Sequence, residues 1–239
     1  MKTLLAFLLV LLLSACAGSA TKTYILPEGL GQVVATSPLA CRFEKHTTDG
    51  KNTQKSNWYF WRETQRTETR DELSNQGEIW ERNSAGQYFF TRLFFNERVA
   101  LEFVPGDLAA MGSSPSWQQL SSLIDPKTLG KELKPQGKGS AGGLSVEYYS
   151  GTINNVVTEI DWLPDLQLPA RLVKKLSDIT VILTVSDCGN VSKFAAKPIT
   201  KPEFDKLRRL DYTDLGDMED DPMVRHLELL MGGHHHENH

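Results

Sequence analysis

The sequence lacks the short motifs by which most hydrolases, metalloproteases and nucleotide-binding enzymes are recognised. G-x-S-x-G, H-E-x-x-H and the P-loop are all absent. A G-x-G-x-x-G pattern occurs at residues 137–142, but Pro135 precedes it and a strand pattern, not a helix, follows, so we interpret it as a flexible loop. His46 and His226 are isolated, with no evident nucleophile beside them. These absences indicate a protein without catalytic activity.

An excess of positive charge is lacking too. The chain has 26 Lys and Arg against 30 Asp and Glu, for a formal net charge of −4. Eight acidic residues and one basic residue, Arg225, lie from Asp211 onward, so the preceding body is close to neutral. Such a balance excludes a nucleic-acid-binding surface. With 40% hydrophobic residues, the chain is expected to build a globular core.

Long apolar runs are limited to one, residues 4–13, which is too short to cross a bilayer. Lys2 precedes the run and small residues follow it, as in a secretory signal. The last four residues, Leu13-Ser14-Ala15-Cys16, resemble the lipobox of bacterial lipoproteins. That resemblance implies a signal peptide at residues 1–15 and a diacylglycerol on Cys16, at the start of the mature chain.

An ordinary secretory signal, cut near Ala17 or Ala20 with loss of Cys16, is the alternative. In Gram-negative lipoproteins an Asp after the Cys favours the inner membrane, and Ala17 is not Asp. The resemblance therefore implies an outer-membrane lipoprotein facing the periplasm, with the membrane as a partner through its N-terminal lipid. Residues 16–39 are expected to be a flexible tether. Tyr24-Ile25-Leu26 is one point where it could dock on the body.

Cysteines are few, three in all. With Cys16 assigned to lipid, Cys41 and Cys188 remain as an even pair in an oxidising compartment, which favours a disulfide. Two unpaired thiols are the alternative. No C-x-x-C pattern is present, so a thiol oxidoreductase is not expected.

Short strand patterns broken by turns fill residues 40–190. Asp49-Gly50 is a hairpin signal, and residues 179–188 alternate apolar and polar side chains. We predict a mainly β fold with some helix (α+β): eight to ten antiparallel strands in a curved sheet or half-barrel. Residues 106–135 form a helical insertion that plugs its concave side, and residues 134–143 form a Gly-rich loop.

The remaining residues, 191–239, are predicted to be a helical, acidic extension. Thr200, Pro202 and Glu203 indicate a helix continuing to about Leu210. An acidic loop then spans residues 211–221. A second helix starts at Asp221-Pro222 and ends at Gly232-Gly233.

One stretch of the predicted half-barrel, residues 160–172 with the sequence IDWLPDLQLPARL, is similar to a strand–loop–strand of the LolA and LolB lipoprotein carriers. In that family a Trp-containing strand meets a Leu-Pro step before the next strand. The resemblance implies a curved sheet with an apolar hollow. The tether, the disulfide and the acidic tail depart from the family's pattern.

Aromatic residues concentrate in the strand region and are candidates to line an apolar ligand cavity. The candidate residues are Trp58, Phe60, Phe89, Phe95 and Trp162. The alternative is that they form the core, since a cavity and a core have the same sequence signature. We predict a non-enzymatic envelope lipoprotein that binds a lipid or acyl chain, or a partner protein.

The chain ends in His234, His235, His236 and His239. Neutral imidazoles near carboxylates bind Zn²⁺, Cu²⁺ or Ni²⁺, and a terminal run would bind them loosely. The alternative is a solvated tail without a role. No other cofactor is expected. A metal-binding or envelope-stress accessory protein is accordingly the second functional hypothesis.

Overall fold

A computed structural model describes Leu26, Leu30 and residues 38–113 and 115–231. The described residues form twelve strands and four short helices. The strands are β1 (Leu39–Thr48), β2 (Thr53–Arg62), β3 (Arg66–Asp71), β4 (Gln76–Arg82), β5 (Tyr88–Phe94), β6 (Val99–Phe103), β7 (Leu133–Ala141), β8 (Leu144–Ile153), β9 (Val156–Leu163), β10 (Leu168–Lys175), β11 (Thr180–Asn190) and β12 (Arg208–Asp211). The helices are α1 (Pro105–Ala110), α2 (Trp117–Ser122), α3 (Lys201–Phe204) and α4 (Pro222–Leu230), with 3₁₀ turns at Pro126–Thr128 and Tyr212–Met218.

All twelve strands belong to one sheet, in the order β12-β6-β5-β4-β3-β2-β1-β11-β10-β9-β8-β7. Neighbouring strands are antiparallel except β12, which pairs in parallel with β6. The meanders β1–β6 and β7–β11 join where β1 pairs with β11. Cys41 and Cys188 are directly opposite in that pair and form the expected disulfide, with their Cα atoms 4.1 Å apart.

The sheet is strongly curved. A flat sheet would separate β5 from β10 by six strand spacings, about 29 Å. Yet Arg92 of β5 and Leu172 of β10 line the same cavity. β-Bulges near Arg42, Pro135 and Pro169 contribute to this bend, because each adds a residue on one strand only. The predicted half-barrel is confirmed, with more strands than the eight to ten expected.

The Gly-rich loop predicted at residues 134–143 is wrong, because most of this segment is strand β7. A Cβ at Gly139 would lie 2.8 Å from the hydroxyl of Tyr148 on β8, so a larger residue there would have to displace that side chain. Gly142 and Gly143 both have positive φ and form the two-residue turn that leads into β8. Pro135 is tolerated because β7 lies at the sheet edge.

The helix predicted to continue to Leu210 is also wrong. Helix α3 ends at Phe204, and Arg208–Asp211 pairs with the open edge of β6 as β12. An unpaired strand edge offers backbone groups that a helix cannot satisfy. The second predicted helix is confirmed as α4, where the Asp221 carboxylate accepts a hydrogen bond of 2.8 Å from the Met223 amide. Its predicted stop at Gly232-Gly233 lies outside the described residues.

After β11 the chain wraps around one edge of the sheet. Leu93 and Phe94 are consecutive on β5 and so point to opposite faces. Residues 191–207, which we call the outer strap, pack on the Leu93 side through Phe204 and Leu207. Residues 212–231, the inner cap, pack on the Phe94 side. The cap therefore covers part of the concave face.

Leu26 and Leu30, in the segment predicted to be a flexible tether, are buried in the core with Phe43 and Phe60. The chain therefore docks on the body at these two residues. The boundaries predicted for the tether (residues 16–39) and the extension (residues 191–239) stay predictions. Strand β12, which lies beyond residue 190, nevertheless belongs to the main sheet. Among the described residues, no helix combines the length and apolar character required to span a bilayer.

Candidate ligand-binding site

A central cavity of about 450 Å³ opens on the concave face. Side chains reach it from β2–β5, β10 and β11, because alternate residues of each strand point to this face. Thr67, Thr69 and Asp71 of β3 show this spacing clearly. The other lining residues are Trp58, Ser74, Gln76, Gly77, Glu78, Trp80, Arg92, Gln119, Leu120, Leu123, Leu172, Lys174 and Leu183. The cavity thus combines tryptophan and leucine side chains with charged groups.

Helix α2 forms one wall of this cavity, as the predicted helical insertion required. Ser116 caps the helix, its hydroxyl accepting a hydrogen bond of 3.0 Å from the Gln119 amide. The buried Arg62 fixes the other end, donating to the carbonyls of Ser121 at 2.9 Å and Leu166 at 3.0 Å. Burial lowers the pKa of Arg62. These bonds hold the α2 wall in place.

A smaller recess of about 310 Å³ lies beside the central cavity. The two share Gln119 and Leu123 from the α2 segment and Leu172 and Lys174 from β10. Lys174 therefore faces both spaces.

A third space, which we call the apolar chamber, lies between the sheet and the inner cap and measures about 420 Å³. Its apolar lining consists of Phe90, Phe103, Met111, Tyr212, Leu215 and Met231. Arg92 also lines it, so this one side chain borders both the chamber and the central cavity. The cap adds Glu219 and Glu228 to the chamber lining.

The two acidic residues of the central cavity differ in their cationic partners. Asp71 forms an ion pair with Lys45 of β1. Glu78 stands opposite Arg92 in the β4–β5 ladder. Glu78 is exposed to the central cavity, but the protein around that cavity desolvates its carboxyl, and this raises its pKa despite the nearby Arg92 charge. Asp71 thus has a cationic partner, and the pKa of the Glu78 carboxyl is raised.

The aromatic residues singled out from the sequence do not form one group. Trp58 lines the central cavity and stacks on Phe60, which is fully buried in the core, with ring centroids 6.3 Å apart. Trp162 is buried with Ile160 and Leu172 beside the cavity wall. Phe95 packs near the outer strap, and the partly exposed Phe89 lines a surface groove on the same face.

Sequence reasoning missed Trp80, Arg92 and the whole apolar chamber. Tyr88, Phe90 and Phe94 alternate around Arg92 on one face of β5. A cation in that series is the signal that distinguishes a cavity from a core.

The predicted lipidation site, Cys16, lies outside the described residues. So do the candidate metal ligands His234, His235, His236 and His239. Within the ranges that the structure describes, no three His, Cys, Asp or Glu side chains are grouped to hold a metal ion.

No family model matches this chain, and no curated protein matches its sequence. Several solved structures are similar to it. They include PNGF-II, at 15% identity and a TM-score of 0.42, covering 76% of this chain and 33% of that one. MucB has 12% identity and a TM-score of 0.38, with coverages of 72% and 58%. A LolA superfamily protein from Nitrosomonas europaea has 10% identity and a TM-score of 0.29, with coverages of 71% and 90%.

This chain spans about a third of the length of PNGF-II. With TM-scores below 0.5, these three likenesses assign the chain to no family and to no ligand.

Proposed function

We propose that the half-barrel is a non-enzymatic binding protein for an amphiphile, a molecule with an acyl-type chain and a polar head. The observation that carries this proposal is the apolar chamber beside the charged central cavity. Phe90, Phe103 and Leu215 line the chamber and offer an apolar surface to the acyl-type chain of the ligand. The polar side chains of the central cavity, on the other side of Arg92, suit its head group. Burying each methylene contributes about 0.8 kcal/mol, so a chain of moderate length supplies substantial affinity.

We further propose that the protein is an outer-membrane lipoprotein anchored through Cys16 and facing the periplasm. The lipobox Leu13-Ser14-Ala15-Cys16 supports this anchor. Leu26 is docked in the core only ten residues later, a distance of at most about 36 Å for extended chain. The anchor would therefore keep the binding site within about one domain diameter of the bilayer, where amphiphiles exchange.

Lipidation is tested by growing cells with labelled palmitate and comparing the wild type with Cys16→Ser. Label on the wild-type protein alone, in the outer-membrane fraction, supports the anchor. An unlabelled wild-type protein with a mature N-terminus beyond Cys16 would rule it out.

Gly216 allows a direct test of the chamber. It lines the chamber, and a Cβ built there meets nothing within 4 Å, so a side chain can leave the backbone at this position without a clash at its first atom. Gly216→Phe should fill the space that a ligand chain needs. Gly106→Phe is the matched control, because Gly106 is exposed on α1 and is equally unobstructed.

The readout is native mass spectrometry of the protein purified from the outer-membrane fraction without metal columns. We expect an organic mass of several hundred daltons on wild type and Gly106→Phe, lost on delipidation and reduced on Gly216→Phe. A wild-type protein free of ligand, or one carrying a protein partner instead, contradicts the proposal. The same spectra report whether Zn²⁺, Cu²⁺ or Ni²⁺ is bound, which the terminal histidines predict.

A further inference from the structure

We infer that the head group of the bound amphiphile is anionic, a phosphate or carboxylate, and that Arg92 and Lys174 recognise it. This inference rests on the proposed function and specifies its ligand. It follows from the position of Arg92 between the two spaces and from the state of the charges around it.

Arg92 is held at the boundary but keeps unused binding capacity. Its Nη2 donates a hydrogen bond of 3.1 Å to Oε1 of Gln76, and its guanidinium lies 5.4 Å from the centroid of the Phe94 ring. Among the described residues, no carboxylate oxygen forms an ion pair with it at 4.0 Å or less. A guanidinium has five N–H donors in a fork that matches carboxylate and phosphate oxygens.

Lys174 supplies the second cation from the opposite wall. It is exposed to the central cavity and to the recess. Its neighbour Lys175 forms an ion pair of 2.7 Å with Glu159, whereas Lys174 forms none within the part of the chain that the structure describes. Two cations from non-adjacent strands thus face the same space.

The acidic residues of the central cavity are Asp71, which forms an ion pair with Lys45, and Glu78, which stands opposite Arg92. Asp125 and Glu132 line the adjoining recess and not the central cavity. Arg92 and Lys174 can therefore both approach an anion in the central cavity, where a charge-assisted hydrogen bond is stronger than a neutral one. Glu219 and Glu228 on the cap wall disfavour the reverse orientation. The acyl-type chain of the ligand is thus directed into the chamber, and its head group lies toward Arg92 and Lys174.

The test uses four probes with the same twelve-carbon chain: dodecyl phosphate, dodecanoate, dodecyl maltoside and dodecyltrimethylammonium. Binding to the full-length protein is followed below the micelle concentration by the change in tryptophan fluorescence, since two of the five tryptophans, Trp58 and Trp80, line the cavity. We expect the anionic probes to bind about tenfold more tightly than the cationic probe at low salt. Preference for dodecyl phosphate would indicate a phospholipid-type head, and preference for dodecanoate a free fatty acid.

Arg92→Gln and Lys174→Gln should each reduce the ratio of anionic to cationic affinity by about fivefold. Arg92→Lys should retain more of the ratio than Arg92→Gln. Lys55→Gln is the matched control, since it removes the same charge from an exposed β2 residue outside these spaces. If Arg92→Gln fails to fold, Lys174→Gln, at an exposed position, still decides the question.

Equal affinity for all four probes, or an unchanged ratio in Lys174→Gln and any folded Arg92 variant, would overturn the anionic head and leave amphiphile binding intact. Failure of every probe to bind the wild type would instead reject the proposed function itself.

Discussion

The outer strap and the inner cap belong to one continuous segment, but different forces hold them. Besides its apolar packing through Phe204 and Leu207, the strap has a directional polar contact: Glu68, whose side chain is fully buried, accepts hydrogen bonds of 2.9 and 3.1 Å from the Ile199 amide. The cap is held mainly by apolar packing of Leu215, Val224 and Leu227. A hydrogen bond fixes the distance and angle between its two groups, whereas apolar attraction is non-directional. The comparison therefore predicts that the strap on the convex face is more firmly positioned than the cap over the apolar chamber.

The largest expected effect concerns the disulfide between Cys41 and Cys188, since the strap starts three residues after Cys188. Replacing Cys41 and Cys188 with Ser removes a cross-link between residues separated by 147 positions. We expect the free energy of unfolding to fall by about 3–5 kcal/mol, since the unfolded chain regains its freedom. Urea unfolding measures the loss. A change below about 1 kcal/mol would show that strand pairing alone closes the sheet between β1 and β11.

The strap itself is tested by Glu68→Ala. The substitution leaves the Ile199 amide without its acceptor and breaks the ion pairs with Arg66 at 2.7 Å and Arg70 at 3.1 Å. Both arginines are partly exposed, so we expect a loss of about 2–3 kcal/mol rather than the full cost of a buried pair. Hydrogen exchange should increase across residues 191–207.

Glu81→Ala is the control for the strap, because Glu81 is exposed and lies 3.4 Å from Arg66. It should change stability by less than about 0.5 kcal/mol. Equal effects of the two substitutions would mean that Glu68 does not anchor the strap.

For the cap, Leu227→Ala removes a fully buried side chain of α4. We expect a loss of about 2 kcal/mol, at the low end for such a cavity, because the cap can detach locally while the sheet stays folded. Limited proteolysis should then cut within residues 212–231 and spare the strap. Leu229→Ala, at an exposed position of the same helix, should behave as the wild type. Exchange rising equally in strap and cap would remove the distinction between them.

The sequence was sufficient for the parts of the fold that depend on local pattern. Asp49-Gly50 folds as the expected hairpin because Gly50 adopts a positive φ and the Asp49 carboxylate accepts hydrogen bonds from Lys51 and Asn52. The disulfide followed from compartment and parity of the cysteines. β12 could not be predicted, because four residues rich in Arg become a strand only where β6 offers an open edge.

The candidate site was less accessible to sequence reasoning, for a physical reason. Trp58 and Phe89 are equally aromatic, and only the curvature of the sheet decides that the first borders a cavity and the second the outer face. The apolar chamber exists because the chain turns around the sheet edge, which places Tyr212 opposite Phe103, with ring centroids 4.7 Å apart. The spacing of these two residues along the sequence does not predict that contact.

The smallest expected effect concerns Glu78, at the boundary between the polar cavity and the region under the cap. Its pKa is raised in the folded protein, so the folded state binds a proton more readily than the unfolded state does. Stability should therefore rise as pH falls from the folded-state pKa toward the unfolded value of about 4.3. Glu78→Gln should be more stable than the wild type at pH 7 by less than about 1 kcal/mol, because cavity water screens the charge.

Most of that gain should be lost by about pH 4, where most of the wild-type carboxyl is protonated in both states. Thermal unfolding of the wild type and Glu78→Gln between pH 4 and 7.5 measures it, with Glu72→Gln, on an exposed turn, as the control. A Glu78→Gln protein less stable than the wild type at pH 7 would show that the carboxylate stabilises Arg92 more than burial penalises it. The central cavity would then be closer to neutral, and its preference for an anionic head group correspondingly weaker.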